Sequence, residues 1–172
     1  GDFYEMFFDD AVTASKEMEV TLTGKNCGME ERAPMCGVPY HAADTYISKL
    51  VEKGYKVAVC EQTEDPASAK GIVKREVIRI VTPGTLTSQG MLDERENNYL
   101  ASVFAGDGTA GIAYCDISTG ELKAGEYRTG DVWGDLLNEL IRIDVKELIL
   151  NEYLRDTSFY RDASDLTDAY LS

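Results

Sequence analysis

The run Thr82-Pro83-Gly84 constrains this chain more than any other feature, because the hydrophobic rhythm differs on its two sides. Proline removes a backbone donor and glycine admits conformations that other residues avoid, so a continuous strand or helix is not expected to run through the pair. The polar stretch Thr85 to Asn98 follows, with a short helix expected near Leu92 to Glu96 and little apolar surface to bury. We therefore expect two domains, residues 1–82 and 98–172, with a linker over 83–97. The 172 residues suffice for two domains of about 80–90 residues each. The fold class is α/β, in the mixed α+β sense.

Before the break, strand and helix signals alternate. Residues 2–7 read as a short strand, followed by a helix from Asp9 or Asp10 to about Glu17 with Ala11, Ala14 and Met18 on one side. Val20 to Thr23 reads as a second short strand, residues 24–34 as a polar loop, and Met35 to Val38 as an apolar turn segment stopped by Pro39. A helix is expected from about Ala42 to Lys53, with Gly54 as its terminator. Tyr55 to Cys60 and residues 72–82 read as strands, with a turn at Asp65-Pro66.

After the break, Leu100 to Ala105, Ala110 to Asp116 and Glu121 to Tyr127 read as three antiparallel strands joined by Gly-Asp-Gly and Ser-Thr-Gly turns. A helix from about Asp131 to Ile143 carries Val132, Leu136, Leu140 and Ile143 on one face. Glu147 to Leu150 reads as a strand buried on both faces. Strand-strand-strand-helix-strand is the opening of a ribonuclease-H-like sheet. Residues 151–172 are acidic and weakly patterned, so this second domain is expected to be incomplete.

Four cysteines (Cys27, Cys36, Cys60, Cys115) and one histidine (His41) form no C-x-x-C pair and no four-ligand zinc pattern. Reduced, mostly half-buried thiols and no metal are expected. No apolar run approaches the roughly 18–20 residues that span a bilayer, and no leader pattern is present, which favours a cytoplasmic protein. The chain opens at Gly1 inside what reads as a structural element, as a piece of a longer protein would. Gly106 to Gly111 fits G-x-G-x-x-G, but the residues that follow read as a strand and not a helix, so a hairpin is expected.

Residues 1–82 carry a net charge of −4 and residues 83–172 a net of −10, making up the total of −14. Nucleic-acid binding through phosphates calls for positive charge. Here it gathers only locally, where Lys70, Lys74, Arg75 and Arg79 stand against Glu76. By itself the chain should bind DNA weakly.

Phe3 and Glu5 lie two positions apart, so on an extended strand they share a face, roughly 6–7 Å apart. Tyr4, Met6 and Phe7 are expected to pack inward. An aromatic wedge beside a lone hydrogen-bond acceptor suits a contact surface. In the second half, Asp116 with Glu121 and Asp144 invites a metal-dependent nuclease reading; the competing account makes Asp116 a capping aspartate at a strand end.

Several segments, in order and with matching spacing over roughly residues 1–125, resemble the MutS family of DNA mismatch repair proteins. They are Gly-Asp-Phe-Tyr-Glu-Met-Phe-Phe-Asp-Asp-Ala (1–11), Pro-Met-Cys-Gly-Val-Pro-Tyr-His-Ala (34–42), Lys-Leu-Val-Glu-Lys-Gly-Tyr-Lys-Val-Ala-Val-Cys-Glu-Gln (49–62), Asp-Pro-Ala (65–67) and Val-Ile-Arg-Ile-Val-Thr-Pro-Gly-Thr (77–85). Glu-Arg-Glu-Asn-Asn-Tyr-Leu (94–100) and Asp-Ile-Ser-Thr-Gly (116–120) are weaker. The resemblance implies a mismatch-recognition domain followed by a ribonuclease-H-like connector domain. It makes Phe3 a wedge on a mispaired base, reached from the minor groove, and Glu5 the carboxylate that hydrogen-bonds that base. It places Lys25 in a loop near DNA, Met35 beside Phe3, and Arg75 with Lys70 at the backbone. It implies mismatched double-stranded DNA and MutL as partners, and a homodimer of the whole protein with this piece monomeric. It implies no cofactor and no enzymatic activity in this piece, ATP and Mg²⁺ belonging to a C-terminal ATPase domain. A scaffold-type paralogue without mismatch reading is the alternative, against which the presence of both Phe3 and Glu5 argues.

Overall fold

The computed structural model describes residues 3–64, 71, 73–87, 97–106, 108–128 and 130–172. Two units emerge, Gly1–Val81 and Thr82–Ser172. The expected helix at Leu92 to Glu96, the Asp65-Pro66 turn and Lys70 lie outside the described residues.

In the first unit, β1 (Phe3–Phe7) runs into α1 (Phe8–Met18). Phe8 takes φ +55°, a left-handed conformation that costs a bulky residue roughly 1–2 kcal/mol. Ala11, Ala14 and Met18, at spacings of three and four, form the buried stripe of α1. β2 (Thr23–Lys25) and β3 (Ala33–Pro39) complete a three-stranded antiparallel sheet in the order β1-β3-β2. The pleat sends Cys36 and Val38 inward onto Ala11, Ala14, Met18 and Leu50, the last from α2 (Ala43–Glu52). Tyr4 and Met6 pack against the same cluster. A single helical turn, Tyr40–Ala42, links β3 to α2.

β4 (Val57–Gln62) and β5 (Arg75–Val81) pair antiparallel as a separate ribbon. Ile78 is an extra residue on β5 there, because Val59 faces Arg79 while Cys60 already faces Val77. Val77, Ile78 and Ile80 are exposed, so the apolar composition that marks this strand does not correspond to burial.

The second unit is a five-stranded sheet. β6 (Tyr99–Gly106), β7 (Thr109–Asp116) and β8 (Glu121–Tyr127) form the antiparallel meander, and α3 (Val132–Arg142) carries the chain across to β9 (Glu147–Leu150), parallel to β6. This is the ribonuclease-H-like order. Asp131 caps α3 by accepting from the Gly134 amide at 3.1 Å. The weakly patterned end folds too: α4 (Glu152–Arg155), α5 (Ser158–Leu166) and β10 (Tyr170–Leu171), the last parallel to β9, give the sheet order β10-β9-β6-β7-β8. Leu136, Leu140, Leu154 and Phe159 are fully buried over the inner face of the sheet. The outer face exposes Phe104 and Ile149, so β9 is not buried on both faces as expected. Gly106 pairs with Thr109, which makes the G-x-G-x-x-G match a hairpin.

Residues 82–86 belong to the second unit. The turn Pro83–Thr85 packs on β6 and β9, and Leu86 is buried.

Candidate nucleic-acid interface

β1 pairs with β3 so that Phe3 faces Pro39, Glu5 faces Gly37 and Phe7 faces Met35. Residues directly opposite on paired strands project to one side. Phe3, Glu5, Phe7, Gly37 and Met35 therefore share the face turned away from α1. β2 joins the same face, since Thr23 lies opposite Met35 and Lys25 two residues on. Phe3 is 60% exposed and Glu5 is also exposed. Two expectations are corrected by this register. Phe7 belongs with Phe3 and Glu5 and not with the inward set, because a strand alternates strictly with period two. Lys25 closes β2 and is not in a loop, and Met35 lies inside β3 and not in a turn.

The Lys25 ammonium reaches the Glu5 carboxylate at 2.5 Å and stands 5.5 Å from the centre of the Phe7 ring. Gly37 has no side chain between Phe3 and Glu5, and this keeps the surface under both of them low. An open groove of about 880 Å³ runs past these groups, lined among others by Phe3, Glu5, Lys25, Tyr40 and Arg75. Four residues singled out from the sequence are thus brought to one place: Phe3, Glu5 and Lys25 on the sheet, and Arg75 at the start of β5. Met35 shares the face but stands opposite Phe7, four residues along the strand from the Phe3 pair, so it is not beside Phe3 as expected.

Arg75 donates to the Val73 carbonyl at 3.1 Å. The other cations of its cluster are committed differently: Lys74 pairs with Glu76, and Arg79 with Asp44 at 2.9 Å. The fourth, Lys70, lies outside the described residues.

Tyr40, which the sequence pattern does not single out, lines the same groove. It is 63% exposed and stacks on Tyr4, with ring centres 5.6 Å apart and planes inclined by 26°. The Tyr4 hydroxyl donates to Glu61, and that hydrogen bond, with burial and the nearby negative charge adding to it, pushes the Tyr4 pKa up to about 12. The only sequence signal was an aromatic directly after a strand-ending proline.

Cys36 is buried, which pushes its thiol pKa up, but Cys27 and Cys60 are exposed, against the expectation of mostly half-buried thiols.

The carboxylates of the nuclease reading are each engaged by protein partners. Asp116, 1% exposed, accepts from the Ser118 hydroxyl at 2.6 Å and from the amides of Ser118 at 2.9 Å, Asn98 at 3.2 Å and Thr119 at 3.4 Å. Burial opposes its ionisation, yet these donors together hold its pKa below the usual aspartate value. Glu121 accepts from the Tyr99 hydroxyl and pairs with Lys123, while Asp144 pairs with Lys146. The capping account of Asp116 is the one its geometry fits.

The chain matches two family models, MutS domain I over residues 1–90 and MutS domain II over residues 98–168. It is 54% identical, over its whole length, to the DNA mismatch repair protein MutS of Acetivibrio thermocellus and 55% identical to that of Ruminiclostridium cellulolyticum. The MutS of Alkaliphilus oremlandii is 57% identical over 87% of the chain. The chain spans about a fifth of the length of these curated relatives: 20% of the first two and 17% of the third.

Proposed function

The chain belongs to the MutS family, and on that premise we propose that its first unit recognises mismatched double-stranded DNA in mismatch repair. One observation carries this reading. An aromatic ring, Phe3, stands 60% exposed on a strand face beside a carboxylate.

Pushing such a ring between base pairs from the minor groove unstacks a step at a cost of a few kcal/mol and kinks the duplex. A mispaired step is easier to unstack and bend, so the deformation itself discriminates. Glu5 accepts a hydrogen from the displaced base. A carboxylate near phosphates is unfavourable without such a donor, so Glu5 sharpens selection at some expense in affinity. Lys25 and Arg75, with Lys70, contact the backbone, and Met35, opposite Phe7 on the same face, meets the minor groove farther along the duplex.

The second unit relays the state of the DNA to the ATPase part of the whole protein and offers a surface to MutL. In this reading residues 1–172 bind and couple but do not catalyse, and ATP with Mg²⁺ acts elsewhere in a homodimeric, cytoplasmic protein.

The test is made in the whole protein that carries this segment. Phe3→Ala should abolish the preference for a G·T duplex over a matched one, measured by fluorescence anisotropy. Glu5→Ala should keep or raise general affinity while narrowing the preference. An undiminished preference after Phe3→Ala would overturn the wedge.

A further inference from the structure

We propose that Tyr40 is a second DNA-contacting aromatic, stacking on a nucleotide ring next to the step that Phe3 opens. The inference rests on the reading of the first unit given above and adds a residue that the wedge-and-carboxylate pair does not include.

Three features of Tyr40 support it. The ring is 63% exposed although it lies in the middle of a folded unit, directly after Pro39, the residue paired with Phe3. One of its faces is occupied by Tyr4, whose own hydroxyl is tied to Glu61. The orientation of Tyr40 is therefore fixed before any ligand arrives, and little rotamer freedom remains to be lost on contact. Finally, Tyr40 lines the same groove as Phe3, Glu5, Lys25 and Arg75. The charges lining the groove balance, because Glu5 is paired with Lys25 and the remaining carboxylate, Glu61, is matched by Arg75.

A preoriented aromatic in a groove that also holds cations suits the flat face of a base or the apolar edge of a deoxyribose. Stacking of this kind is tolerant of base identity, since every base has a π-face. Tyr40 accordingly supplies affinity once a step is open, while Phe3 selects which step opens.

The experiment compares Tyr40→Ala, Tyr40→Leu and Tyr40→Phe in the whole protein, with Phe3→Ala alongside, on G·T and matched duplexes. Tyr40→Ala should weaken G·T binding by roughly 5- to 150-fold, the range expected for one aromatic–base stack. Tyr40→Phe should stay within about twofold of the unsubstituted protein, because the π-face is kept. Tyr40→Leu fills the space beside Tyr4 but offers no π-face, and should follow the alanine variant. Equal affinity of the leucine and unsubstituted proteins would overturn the stacking role, even if Tyr40→Ala weakened binding through misfolding. Loss of preference in Phe3→Ala with unchanged affinity in Tyr40→Ala would sink this inference and leave the wedge standing. Retention of preference in Phe3→Ala would remove both.

Discussion

A Cβ added at Gly37 would lie 3.2 Å from the Tyr4 carbonyl oxygen, 3.7 Å from Phe3 Cδ1 and 3.9 Å from Glu5 Cγ. The first contact is tighter than ordinary van der Waals packing and involves backbone, which gives way less easily than a side-chain end. A larger residue must therefore push β1 away from β3 or lift Phe3 and Glu5 off the sheet. Gly37→Val should lower the mismatched-to-matched affinity ratio by roughly tenfold, equivalent to about 1.4 kcal/mol of lost discrimination. A ratio equal to that of the unsubstituted protein would show that the low surface at Gly37 is irrelevant to the two side chains above it. Asp116 gives a residue-scale prediction of a different kind. Its folded pKa is lowered against an unfolded value of about 3.9. Its ionisation therefore stabilises the fold in full above that unfolded value, and the contribution fades as pH falls through the folded pKa. Asp116→Asn places an amide among N–H and O–H donors and should cost about 1–3 kcal/mol near neutral pH. Trp133, on α3 and the one tryptophan of the sequence, reports the second unit by fluorescence in a urea series. The difference between the two proteins should shrink below about pH 4; a difference that stayed constant would mean that Asp116 is not ionised among its donors.

At the scale of elements, β9 carries a buried carboxylate in an otherwise apolar strand. Glu147 accepts from the Thr82 hydroxyl, from the Gly84 amide at 3.1 Å and from the Ser172 hydroxyl at 3.4 Å. Thr82 and Thr85 cap the same turn reciprocally, and Asn98 donates to the Pro83 carbonyl at 2.9 Å. A Cβ on Gly84 would meet Glu147 Cβ at 2.8 Å and Leu100 Cβ at 3.0 Å. The turn after Thr82 is thus built into the second unit by a carboxylate that a hydropathy pattern would count as a defect. Glu147→Gln turns an amide donor toward donors and should destabilise the second unit by about 1–3 kcal/mol. The Trp133 urea transition should move to lower denaturant, while amide exchange at Cys36 and Val38 in the first unit stays as before. Comparable loosening of both units would contradict a local role. The main elements were legible because their periodicity is strong: Ala11, Ala14 and Met18 mark α1, Leu136 and Leu140 mark α3, and the turns at 106–109 and 117–120 mark the meander. What stayed hidden has physical causes. α4, α5 and β10 are short, and α5 signals its buried face only through Phe159 and Ala163. Ile149 and Ile78 are apolar yet exposed, so composition alone misassigned the burial of β9 and said nothing of the bulge in β5. At the candidate site, Phe3 and Glu5 were legible from alternation, but Lys25 as a strand residue, Gly37 as a steric gap and Tyr40 as a stacked ring depend on β1–β3 and β2–β3 pairing, which is non-local.

For the whole molecule, charge limits what contact with DNA can achieve. The chain carries −14, of which −10 falls on residues 83–172, and polyanion binding must come from a few cations against that background. In the reading proposed above these are Lys25, Lys70 and Arg75, and Lys25 must first leave Glu5. An exposed ion pair of this type is worth at most about 1 kcal/mol, so its exchange for a phosphate contact is nearly free of cost. Each phosphate neutralised on duplex DNA releases counterions with a slope of about −0.9 in log K against log salt. Three contacts predict a slope of about −3 for residues 1–172 on a mismatched duplex, and about −2 after Arg75→Gln. A salt series by fluorescence anisotropy measures both. A slope far steeper than −3 would demand cations beyond Lys25, Lys70 and Arg75. A slope near zero would mean that stacking alone holds the duplex. An unchanged slope after Arg75→Gln would remove Arg75 from the backbone contacts while leaving Phe3 and Tyr40 to be judged by their own variants.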